Sequence, residues 1–175
     1  MTARAIRRPV FGRLSEREAR ALLRRNHVGR ICFVRERVVD VEPVHYAAEG
    51  DWIYVRSARG TKTVALEHRP YVAFEVDEVR DTFDWRSVVV HGTVYAMVEH
   101  GDPVARAQFG RAIEALRAFL PETLTTRDPI ASRGTVYGIH IDLIEGRSAE
   151  ERRPRVRPPA RRSPSPPPRE ARRKP

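Results

Sequence analysis

Residues 57–62, Ser57-Ala58-Arg59-Gly60-Thr61-Lys62, place a hydroxyl, a glycine and a cation between a strand pattern and a short helical one. Backbone N–H groups at a helix start point outward without partners, and glycine lets a ligand come close to the chain. Thr61 and Lys62 add a hydroxyl and an ammonium, so the chemistry is that of a phosphate site. The spacing differs from the GxxxxGK[ST] pattern of nucleotide-binding loops. Of 33 basic residues only Lys62 and Lys174 are lysine, which makes Lys62 the one lysine of residues 1–150. The same residues also read as a plain turn, with Thr61 capping the helix and Lys62 solvated.

Other chemistries find little support. Cys32 is the only cysteine, which excludes an intrachain disulfide and a cysteine-cluster zinc site, and it reads as a small buried hydrophobe. The six histidines are scattered without a close-spaced pair; His91, His100 and His140 have no partner at ligand spacing. No apolar run approaches the roughly 18 residues of a membrane span, and Met1-Thr-Ala-Arg4 lacks a secretory core, so a cytoplasmic protein is expected. The net charge of +10 suggests nucleic acid until it is located. Residues 151–175 hold +8 of it, and residues 14–150 come to −2.

The positioning elements follow from local pattern. Ser15 with Glu18 three residues on is a capping box, opening a helix that ends near Asn26 with Leu14, Ala19, Leu22 and Leu23 on its apolar face. From Val28 the pattern turns to β: VGRICFV, VVDVEPVHYA and DWIYVRSA, with turns at Arg35-Glu36-Arg37 and Glu49-Gly50-Asp51. A short helix over Thr61–His68 stops before Pro70. YVAFEVDEV and DWRSVVVHGTVYAMV supply two further strands. Asp102 caps a helix through Phe119, with Pro103 at its first position, and GTVYGIHIDLI is the last strand. Six strands with helices at the start, after the third strand and before the last predict a mainly β, antiparallel, six-stranded split barrel of Greek-key type. The domain is expected over 14–146, between a basic extension at 1–13 and an Arg/Pro-rich tail at 147–175. Eight of the fourteen prolines lie in residues 151–175, which predicts disorder there; the tail's charge suits weak contact with nucleic acid.

VGRICFV, then EPVHYA followed by DWIYVRSARGTKTVALEHRPYVAFEVDEV, then WRSVVVHGTV, taken in order over about residues 14–145, resemble the pyridoxamine 5′-phosphate oxidase-like family of FMN-binding split barrels, in its nitroimidazole-resistance-type branch. The resemblance implies a homodimer with FMN at the interface and an oxidoreductase activity on nitro-aromatic, quinone or similar electron-poor substrates, with electrons from a nicotinamide donor. By residue, it implies Arg56, Ser57, Thr61 and Lys62 at phosphate and ribityl contacts, and Pro43, Val44, His45 and Tyr46 along the flavin ring. Arg86 and Ser87 would reach ring or phosphate, and His45 would act as proton donor. Taken without the resemblance, Val44 and Tyr46 read as core, Trp52 and Trp85 as packing residues, and Arg86 as an ion-pair partner of Asp84 or Glu99.

The chain also departs from that family. The basic, Trp-containing C-terminal segment that holds the substrate phosphate of true pyridoxamine phosphate oxidases is replaced by IHIDLIEGRS, so vitamin B6 activity is not expected. The Arg-Lys pair of their phosphate loop is reduced here to Thr61-Lys62. With fewer cations, deazaflavin F420 or haem stands beside FMN as the cofactor, and a non-enzymatic flavin-binding module beside the enzyme.

Overall fold

The computed structural model describes residues 8–58, 66 and 68–151. In chain order these form β1 (Pro9–Leu14), α1 (Glu16–Arg25), β2 (Val28–Arg35), β3 (Val38–Glu49), β4 (Trp52–Ser57), β5 (Tyr71–Asp81), β6 (Asp84–Met97), α2 (Pro103–Phe119) and β7 (Thr135–Glu151). The strand order is β1-β7-β4-β3-β2-β5-β6, every pairing described is antiparallel, and β6 also pairs with β7. Strands β7, β4, β3, β2, β5 and β6 therefore form a partly closed ring, the split barrel that the strand pattern predicts. The helix expected over Thr61–His68, the residues before Arg8 and the tail from Arg152 lie for the most part outside the described residues.

One strand is new. β1 falls in the stretch assigned to the basic extension, because PVFGRL is exposed over most of its length and carries no alternation to read. It gains its hydrogen bonds from afar, pairing Pro9–Leu14 with Glu151–Gly146. Strand β7 correspondingly runs to Glu151, past the expected domain end at 146. Its first half, 135–140, lies between β4 and β6, and its second half between β1 and β6.

Alternation divides the apolar residues between two cores. The barrel interior holds Ile31, Phe33, Val44, Tyr46, Ile53, Val55, Phe74, Val76, Val88, Val90 and Ile139, closed by Ala19, Leu22 and Leu23 of α1. Helix α2 lays Ala112, Ile113 and Leu116 on the outward side of the wall, over Ala47, Tyr54, Met97 and Val136. Both caps form as expected. Ser15 accepts from the Glu18 N–H while Glu18 accepts from the Ser15 N–H at 2.8 Å, and Asp102 accepts from the Ala105 N–H at 2.8 Å. Gly138 leaves room where Met97 and Trp52 lie over β7: a Cβ there would displace the Met97 methyl and press tightly on the Trp52 ring.

Candidate functional site

Strand alternation splits the predicted ring-facing residues of β3 in two. Val44 and Tyr46 point into the barrel, with 3% and 0% of their surface exposed. The Tyr46 hydroxyl donates to the Leu23 carbonyl at 2.8 Å, its ring meets Phe74 edge-on at 5.0 Å, and burial pushes the phenol pKa up. The side chains of Val44 and Tyr46 are thus part of the barrel core. Pro43 and His45 point outward and are exposed. Proline is tolerated at 43 because that stretch of β3 pairs with β2 alone, leaving its other edge open.

Register carries the outer face across four strands. His45 lies opposite Val28, and Pro43 opposite Arg30; Arg30 lies opposite Glu75, Glu75 opposite Val89, and Asp77 opposite Ser87. Pro43, His45 and Ser87, which sequence reasoning singled out, thus share one surface with Val28, Arg30, Glu75 and Asp77, which it missed. Arg30 Nη1 donates to Glu75 Oε2 at 2.8 Å and to Asp77, and the Ser87 hydroxyl donates to Glu75 Oε1 at 3.0 Å. Val41 is exposed beside them, so the surface offers an apolar wall with hydrogen-bonding groups at its side.

Arg86, at the start of β6, is half exposed and faces Glu150 at 3.5 Å, not Asp84 or Glu99, because β7 brings Glu150 alongside. It borders a cleft of about 720 Å³ lined by Arg25, Asn26, Glu78, Arg80 and Trp85 among others. Glu78 accepts from Arg25 through both oxygens at 2.6 Å, and the Arg25 guanidinium lowers its carboxyl pKa to about 2.

At the far end of β4, Arg56 is held by the loop before β7. Its guanidinium is 2% exposed and donates to Asp128, with Nη2 at 2.6 Å from Oδ2, and its Nε donates to the Arg133 carbonyl at 3.0 Å. Asp128 also accepts from the N–H groups of Leu124 and Ile130, and the Arg56 guanidinium holds its carboxyl down at about 2. Arg56 is spent on the loop before β7. Ser57 is buried and donates to the Ala58 carbonyl at 3.0 Å, while Thr61 and Lys62 lie outside the described residues. His140, given no role from sequence, meets Asp142 at 2.7 Å, and Asp142 accepts from Thr93 at 2.7 Å.

The pattern of the family described as pyridoxamine 5′-phosphate oxidase matches residues 15–148, most of the chain and nearly all of the barrel. The chain belongs to that family. A search of the curated proteins finds no match. Among solved structures, this pyridoxamine 5′-phosphate oxidase family member is similar to an FAD-binding protein from Mesorhizobium loti, with TM-score 0.62 and 24% identity, covering 82% of this chain and 99% of that one. A candidate 5-nitroimidazole antibiotic resistance protein from Bacteroides thetaiotaomicron gives TM-score 0.62 and 16% identity over 82% of this chain and 90% of its own. An FAD and haem binding protein from Mycobacterium smegmatis gives 0.59 and 18% over 78% and 72%. At these identities the likeness is one of fold, and it places the chain among split barrels.

Proposed function

We propose that the protein binds a flavin, FMN in the first instance, and serves as an oxidoreductase. It would oxidise a nicotinamide donor and reduce a small electron-poor acceptor such as a nitro-aromatic or a quinone. The observation that carries this is the outer face of β3, β2, β5 and β6, where Pro43, His45 and Ser87 lie on one wall with Val28, Arg30, Glu75 and Asp77 between them, in a chain of this family. A flavin ring needs a flat apolar surface and donors near the edge that gains negative charge on reduction, and these residues fit both demands. When bound, the flavin supplies the two-electron chemistry. Val28 and Pro43 support the ring, Arg30 presents donors beside Glu75, whose carboxylate accepts from the Ser87 hydroxyl, and His45 is placed to give a proton to the acceptor. The phosphate half is assigned to Ser57, Thr61 and Lys62, with Arg56 committed to Asp128. A second copy of the chain covers the face and completes the site.

The test is the absorption spectrum of the purified protein and its titration with FMN. A yellow protein is expected, and Lys62→Ala should weaken FMN binding ten- to a hundredfold, the ~1.5–3 kcal/mol of a charge-assisted hydrogen bond. A colourless protein that ignores FMN in titration overturns the FMN reading. FAD is the second reading, favoured by the names of the Mesorhizobium and Mycobacterium structures, and the latter name also brings in haem. Mass spectrometry of the released ligand separates FMN, FAD, deazaflavin F420 and haem.

A further inference from the structure

We propose that Arg30 is the cation facing the edge of the flavin ring that gains charge on reduction, and that Glu75 and Asp77 set how much of its charge the ring feels. This rests on the flavin reading above. Arg30 stands mid-way across the outer face, paired in register with Pro43 on one side and Glu75 on the other. Its side chain is 51% exposed, and both carboxylates are taken by one nitrogen, Nη1. The half-exposed guanidinium stands on the same face as Val28 and Pro43. Glu75 is steadied from the far side by the Ser87 hydroxyl, and Asp77 lies opposite Ser87 in register. The three charges are thereby linked to one another along the wall.

A fixed cation beside a group that becomes more negative binds the reduced form better than the oxidised one, and so raises its potential. Two carboxylates beside that cation offset part of the effect. Were the cluster only a surface ion pair, its contribution would be small and confined to stability.

The experiment measures the two-electron midpoint potential of FMN bound to the full-length protein by equilibration with reference dyes, with dissociation constants for both redox forms. Arg30→Met should lose about tenfold more affinity for reduced than for oxidised FMN, a midpoint about 30 mV lower for a two-electron couple. Arg30→Lys, which keeps the charge, should stay near the wild type. The double variant Glu75→Gln/Asp77→Asn should move the midpoint upward. An Arg30→Met protein that binds FMN with an unshifted midpoint overturns the proposal while leaving the flavin reading intact. A wild-type protein that binds neither FMN nor FAD removes the flavin reading, and the role of Arg30 with it. Should Arg30→Met fail to fold, the double variant decides: an upward shift supports the assignment and an unmoved midpoint refutes it.

Discussion

Arg56 and Asp128 form a charge pair almost wholly out of solvent, with side chains 2% and 1% exposed, and its value lies in being complete. Removing one partner strands the other: Asp128→Asn should cost about 3–5 kcal/mol in urea unfolding, the usual result of leaving a buried charge unpaired. The pair also sets an acid limit. The Asp128 pKa is about 2 in the fold against an ordinary 3.8, so its contribution is full above pH 4 and is lost as pH falls toward 2. Stability measured between pH 5 and 2 should fall less steeply in Asp128→Asn than in the wild type. Tyr46 offers a cleaner separation of fold from site. Tyr46→Phe removes only the bond to the Leu23 carbonyl and should cost about 1–2 kcal/mol while leaving FMN affinity unchanged, because the ring faces the core. A weakened FMN affinity in that variant would return Tyr46 to the cofactor wall.

At the scale of elements, β1 is the least self-sufficient piece, and it completes the sheet beside the second half of β7. Phe11 of β1 lies 6.3 Å from Trp85 of β6, so the strand also covers the indole. Deleting residues 1–14 should lower the thermal midpoint by several degrees more than deleting residues 1–8, read by circular dichroism, since only the longer deletion removes the pairing. This strand also shows where sequence reading stops. Helices α1 and α2 announce themselves through Ser15 with Glu18 and through Asp102 with Pro103, signals complete within one turn of chain. β1 has no such signal, because its partners lie more than 130 residues away. The same limit applies to the site. Pro43, His45 and Ser87 were legible from local motifs, whereas Arg30 and its carboxylates become neighbours only through the β2–β5 register. Asp128 was invisible for the same reason, and a motif read along the chain does not say that the Val44 and Tyr46 side chains face the core.

For the whole molecule, the barrel wall leaves Val34, Val39, Val41 and Tyr71 exposed on the same outer face as Pro43 and His45. A second copy covering this surface would explain it, and Val41→Asp should then convert a dimer to a folded monomer in sedimentation velocity and weaken FMN binding along with it. Unchanged sedimentation would place any partner elsewhere. The seam between β6 and β7 bears on how the chain reaches this state. The ring stays open until residues 135–151 join it, because the final strand is the shared neighbour of β1, β4 and β6. A chain growing from its N-terminus at roughly 5–20 residues per second therefore carries unpaired edges on β4 and β6 for several seconds, with valine-rich faces uncovered. Closure of this barrel in that sense waits on long-range pairing, the kind of contact that slows folding.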